Sequence, residues 1–400
     1  MSESPRPAPA TPAASAADPT AQPVTDLRLY SGAPQVENFC RMDSFGYPVS
    51  RLRASPEPQP FPAGEPYTLP DTYEFEGTTR STEDFLSETG TVALLVLQDG
   101  RLRHESYRLT GGLEVPWLSF SVAKSFVATL VGIAIDEGHI RSVEDPISDY
   151  VPVEPGSAYD RVRIVDVLHM SSGARWQEDY SDPDSDIHAV ALSSPRSYAD
   201  FVAHMVKDRE PDTLCRYASG DTLALGLLVA AATGTSLTDY MQRTLCDPLG
   251  FESPGFWITD PYGVERAFGS LNLVARDYAK LGELYRRRGV AADGTRIVSE
   301  AWVEAATHVD SPIRLPGRPE LSGNPTAMGY GYQWWIPEGD RDEFAAVGVY
   351  NQGVNVDPVS RTTIVKLSAN PRFGLSTKEE DNRGDEQQAF LRTLARDHSD

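Results

Sequence analysis

The chain has 400 residues, 40% hydrophobic and 9% aromatic, enough to bury one large core or two packed subdomains. Its formal charge of -22, from 58 acidic against 36 basic residues, argues against nucleic acid or anionic membrane as the main partner. No apolar window reaches the length of a membrane span, and no basic stretch followed by an apolar run opens the sequence. With three cysteines (Cys40, Cys215, Cys246), at least one unpaired, the expected compartment is the cytoplasm.

Residues 1–24 are nearly all Pro, Ala, Ser and Thr, a composition expected to form a disordered tail. Residues 25–75 are Pro-rich and are expected to wrap the surface. Ser81-Thr82-Glu83-Asp84 carries helix-capping chemistry. Thr91 to Gln98 reads as a buried strand, Asp99-Gly100 as a turn, and Arg101 to Arg108 as the hairpin partner. The apolar helix Ser121 to Glu137 follows, closed by Gly138. From about 141 to 264 helical segments dominate: Val162 to Met170, Ser197 to Lys207 and Asp221 to Ala232. A helix from Arg276 to Arg288 then leads back to strands at Gly331 to Ile336, Phe344 to Val349, Gly353 to Val356 and Thr362 to Leu367. A helix from about Asp385 to Arg396 ends the pattern. No repeat of solenoid or propeller period is present. This order predicts an α/β (α+β) fold, with 76–140 and 265–400 forming the α/β subdomain and 141–264 an all-helical insertion. Ligands are expected in the cleft between the two.

The chemistry centres on Ser121-Val122-Ala123-Lys124. Residues three apart on a helix share a face, so the hydroxyl and the ammonium meet. Ser121 sits where unpaired N–H groups and the positive dipole end favour developing negative charge. Lys124 lies one turn inside among apolar neighbours, where desolvation makes its amine a base near neutral pH. Of the chain's five lysines it alone has a serine three residues before it. The seven histidines show no paired metal-ligand spacing, and Asp182-Pro183-Asp184-Ser185-Asp186 lacks the glycine and distal glutamate of an EF-hand loop. No metal and no cofactor is expected.

Phe120-Ser121-Val122-Ala123-Lys124-Ser125-Phe126 resembles the nucleophile motif of serine β-lactamases, penicillin-binding proteins and their esterase relatives. The resemblance extends to the leucine-rich helix and Ser-Ser-Gly turn of Val165 to Gly173, to Tyr217-Ala218-Ser219 as second motif, and to Ala275-Arg276-Asp277. Glu178 to Pro183, Tyr332 to Trp335, Gly348 to Gln352 and Val356 to Pro358 look like the branch formed by 6-aminohexanoate-dimer hydrolases and carboxylesterases. It implies a β-lactamase/transpeptidase-like antiparallel sheet flanked by helices, with the helical insertion. By the same resemblance Ser121 is the acylated nucleophile, Lys124 its base, and Tyr217 the proton donor to the leaving group. Lys124 is expected to favour a phenolate or a strong hydrogen bond at Tyr217. The oxyanion hole would come from the N–H groups of Ser121 and Val349. Tyr180 and Trp335 would contact substrate, and Ser219 would join them, chiefly ordering the loop. An ungapped count from Tyr180 puts Ala191 where the branch can carry an acidic anchor for a substrate amine, so strong activity on the aminohexanoate dimer is not expected.

The third motif departs from the family. Where a Lys-Thr-Gly or His-x-Gly would stand, the chain has Ala346-Val347-Gly348, with no cation to hold a substrate carboxylate. The expected substrate is therefore a small uncharged ester or amide, cleaved through an acyl-enzyme. The alternatives are an acyltransferase of secondary metabolism and a non-catalytic ligand-binding protein on the same fold. Besides the small-molecule substrate, the only partner allowed for is a second copy in a homodimer.

Overall fold

The computed structural model describes residues 35–192, 197–317 and 327–397. The expected disordered tail, 1–24, lies outside the described residues. Strands β1 (Val49–Leu52), β2 (Thr72–Phe75), β3 (Thr78–Ser81), β4 (Thr91–Gln98), β5 (Arg101–Tyr107) and β6 (Trp117–Leu118) precede the helix Val122–Asp136. Strands β7 (Gly255–Ile258) and β8 (Leu271–Leu273) follow the helical stretch. Then come β9 (Gly329–Tyr330), β10 (Trp335–Ile336), β11 (Phe344–Gly348), β12 (Gln352–Asp357) and β13 (Thr362–Ser368), ahead of the C-terminal helix Gly384–Arg396.

The main sheet runs β5-β4-β13-β12-β11-β10-β9. Strand β13 pairs antiparallel with β4, Ile364 opposite Val96, so the two ends of the fold join at the sheet centre and the helical part is an insertion between them. Both faces of β4 are covered, which explains its unbroken apolar run. Leu94 and Val96 face Phe85, Phe390, Leu391 and Leu394. Ala93, Leu95 and Leu97 point the other way, into the larger core with Val127, Val354 and Leu281. The helix Val122–Asp136 is buried at every residue from Val122 to Ala134 because sheet and insertion enclose it. On its surface Gly132 lets the Trp302 ring approach, since a Cβ there would stand 2.5 Å from it. Among the described residues no single helix is long and apolar enough to cross a membrane.

Three details differ from the sequence expectation. The 141–264 insertion is not wholly helical: β7 lies in it, pairing with β1 (Leu52 opposite Gly255) and with β8. Consequently the described part of the 25–75 segment, 35–75, does more than wrap the surface, because β1 is an edge strand of a second sheet, β1-β7-β8-β6. The run Gly331 to Ile336 is not one strand. Its residues before Trp335 form a tight connection between β9 and β10, where Gln333 takes φ 59°.

Candidate active site

Strand β6 delivers the chain to the nucleophile under tight backbone control. The Leu118 N–H donates to the Phe39 carbonyl at 3.1 Å and the Ser119 N–H to the Leu271 carbonyl at 2.8 Å. Phe120 then takes φ 44°, a left-handed conformation that costs a non-glycine residue about 1–2 kcal/mol. Aromatic packing offsets it: the Phe120 ring lies 4.9 Å from Phe39 and 4.8 Å from Tyr350, centroid to centroid. The kink sets Ser121 at the N-cap of the helix, with a side chain that makes no capping bond. Its hydroxyl is left for chemistry.

Lys124 Nζ stands 2.9 Å from Ser121 Oγ and 2.8 Å from the carbonyl oxygen of Phe268. The amine is 1% exposed. Burial brings its pKa down to about 8, partly opposed by the negative charge of Glu178. The Phe268 carbonyl holds the amine whether it is charged or neutral, and the neutral amine keeps a lone pair for the serine proton.

Tyr217 completes the trio, its ring centroid 4.9 Å from Lys124 Nζ and its hydroxyl hydrogen-bonded to Ser121. Of the phenolate or strong hydrogen bond expected at this residue, the structure has a hydrogen bond, made to Ser121. Burial first, then the charge of Glu178, push the phenol well above its ordinary range. Tyr217 is thus a neutral phenol, suited to giving a proton rather than taking one.

Val349 lines the same cleft, directly after Gly348. Among the described residues, neither the Ser121 N–H nor the Val349 N–H donates to another backbone carbonyl. Gln352 Nε2 steadies the Val349 carbonyl at 3.2 Å. Gly348 is required by close approach, since a Cβ there would stand 2.7 Å from the Ser119 carbonyl oxygen.

The remaining expected residues divide. Tyr180 lines the cleft, donates to Glu178 Oε1 at 2.6 Å and is hydrogen-bonded to Ser121. Ser219 also lines it but gives its hydroxyl to Glu178 at 2.6 Å, an ordering role. Trp335, expected at the substrate, lies directly against Tyr217. It stacks on that ring, centroids 5.2 Å apart at 24°, and meets Tyr330 edge-on at 4.8 Å. Ala191 falls in the helix Asp186–Leu192. In the acidic loop, Asp182 and Asp186 accept backbone N–H groups of Asp184 and Gln177 at 2.9 and 2.8 Å.

The cleft has room for about 70 Å³ and opens to solvent. Its walls are mainly apolar, with Leu118, Ile187, Ile258 and Phe268 among them. Three polar residues that matter here were not foreseen. Glu178 accepts from both sides of the site. Gln333, 2% exposed, ties the nucleophile helix to the insertion. It accepts from Ser125 Oγ at 2.7 Å and Thr222 Oγ1 at 2.6 Å, and donates to the Leu168 carbonyl at 2.8 Å. Arg266, also in the cleft wall, donates from Nε to the Tyr198 hydroxyl at 2.8 Å. The cleft wall thus includes one arginine, carried by the segment before β8 and not by the third-motif strand.

Known proteins of the same construction exist. Residues 80–388 match the beta-lactamase family. A 6-aminohexanoate-dimer hydrolase of Paenarthrobacter ureafaciens is 31% identical over 298 residues, 72% of this chain and 75% of that protein. Penicillin-binding protein 4 of Amycolatopsis lactamdurans is 26% identical over 52% of this chain and 62% of its own length. Among solved structures, one from Bacillus anthracis described as a 6-aminohexanoate-dimer hydrolase superposes with a TM-score of 0.80 at 20% identity, over 94% of this chain and 98% of the other. The chain belongs to the beta-lactamase family and is a serine hydrolase of that fold.

Proposed function

We propose that this hydrolase cleaves a small uncharged ester or amide through an acyl-enzyme on Ser121. The observation that carries the reading is the Lys124 amine, buried, brought down to about 8 and 2.9 Å from Ser121 Oγ. Lys124 takes the serine proton as Oγ attacks the substrate carbonyl carbon. The N–H groups of Ser121 and Val349 then receive the oxyanion, a contribution worth about 10²–10³ in kcat for one such donor. Collapse expels the alcohol or amine, protonated by Tyr217, which regains its proton from the Lys124 ammonium. Water, activated by the same pair, attacks the acyl carbonyl and frees Ser121. The uncharged third-motif strand and the apolar walls favour a neutral acyl group. The test is stopped-flow turnover of p-nitrophenyl acetate and butyrate. A burst in the wild type that is lost in Ser121→Ala and Lys124→Ala supports the reading, and turnover unchanged in Ser121→Ala would sink it.

Arg266 favours a second reading, in which the substrate bears a carboxylate away from the scissile bond. Comparing kcat/KM for neutral and carboxylate-bearing p-nitrophenyl esters, in wild type and Arg266→Met, separates the two. Only the second reading has the variant lose its preference for the anionic ester.

A further inference from the structure

Glu178 sits on the loop after Gly173, where the cleft wall meets the second motif. Its Oε1 accepts the Tyr180 hydroxyl at 2.6 Å and the Ser219 hydroxyl at 2.6 Å. Its Oε2 accepts the Ser219 N–H at 3.0 Å and the Trp176 indole N–H. The backbone and indole N–H groups can only donate, so the group facing them has to be an acceptor. An ionised carboxylate accepts all four bonds at once. A glutamine of the same shape offers one acceptor oxygen and turns an NH₂ towards donors.

The carboxylate's surroundings are equally specific. Lys124 faces it from the nucleophile helix, Tyr217 from the strand-like approach to the helix Ser219–Thr233, and Tyr330 from β9, while Tyr180 shares its loop. His188, on the next helix, reaches the Tyr180 carbonyl at 3.1 Å. Lys124 is the one cation in this set whose charge the Glu178 carboxylate favours. We infer that Glu178 is a positioning residue of the proposed reaction: its carboxylate holds Tyr180 and the second motif against Ser121. The inference rests on the acyl-enzyme reading for its catalytic meaning, but the bias on Lys124 is measurable without any substrate.

The chain has only five lysines, so a ¹³Cε-lysine NMR titration resolves Lys124, assigned by its disappearance in Lys124→Ala. Glu178→Gln removes the charge that opposes desolvation, and the Lys124 midpoint is expected to fall by about one pH unit. The acid limb of kcat/KM should move down with it, and kcat on the plateau should drop about tenfold as Tyr180 and Ser219 lose their anchor. Glu178→Asp keeps the charge and should return the midpoint most of the way. An unmoved Lys124 midpoint in folded Glu178→Gln overturns the inference, as does a fall in activity at all pH values with no shift of either curve, the mark of a merely structural role. A midpoint that moves while the kinetic limb stays put upholds the bias on Lys124 and removes Lys124 as the base. The two ideas therefore fail separately.

Discussion

Replacing Gly348 by alanine tests the geometry of the proposed oxyanion hole without touching a reacting atom. The new Cβ would stand 2.7 Å from the Ser119 carbonyl oxygen and 3.0 Å from Gln352 Cβ. Carbon–oxygen contacts normally begin at about 3.3 Å, so β11 has to retreat from the nucleophile turn by roughly half an ångström. Ser119 cannot give way easily, since its N–H is held by Leu271 at 2.8 Å and Phe120 beyond it is wedged between two rings. The movement falls on Val349, one residue along, and lengthens its N–H contact with the developing oxyanion. A lost donor of that kind costs about 10²–10³ in kcat, and a stretched one about 10–100-fold. The overpacking itself costs about 1–3 kcal/mol of stability. The assay is steady-state p-nitrophenyl butyrate hydrolysis beside thermal unfolding of the same samples. A kcat within twofold of wild type, in a variant that is measurably destabilised, would refute the placement of Val349 in the oxyanion hole.

Two further outcomes follow from buried ionisable groups. Lys124 must be neutral to act as base, and burial brings it to about 8, so kcat/KM should rise with pH through that value and level off above it. A profile flat from pH 6 to 9 would contradict the assignment. Asp221 lies 1% exposed under the start of the helix Ser219–Thr233, taking bonds from Tyr159 at 2.9 Å and Ser172 at 2.6 Å on Oδ1. Burial pushes this acid up to about 7. Between its unfolded value of about 4 and that folded value the native state holds the extra proton, so Asp221 erodes stability as pH rises across the window. Asp221→Asn should therefore gain on wild type by on the order of a few kcal/mol between pH 4 and pH 8. A stability difference that does not change with pH would count against the buried protonated acid.

What the sequence disclosed was local. Ser121 and Lys124 are three residues apart on one helix, so their contact needs only helical geometry, and the apolar residues around them announce the burial that tunes the amine. The β4–β5 hairpin is legible for the same reason, as a strand, a two-residue turn and a strand. Residues that act across long separations were not. Glu178 meets Ser219 over 41 positions and Gln333 meets Thr222 over 111, and no periodicity marks either. Strand β7 pairs with β1 some two hundred residues away, so its four apolar residues read as part of the helical stretch. A phenolate or a strong hydrogen bond was expected at Tyr217 from the neighbouring cation alone. Burial and the unforeseen carboxylate of Glu178 push that phenol up.

The central claim is a covalent bond from Ser121 to the acyl group. Intact-mass analysis of enzyme quenched in acid during turnover of p-nitrophenyl butyrate, followed by peptide mapping, tests it most directly. The account predicts a mass increase equal to one butyryl group, mapped to the peptide containing Ser121 and absent from Ser121→Ala. Turnover with no adduct at any quench time, or an adduct that persists in Ser121→Ala, would contradict it.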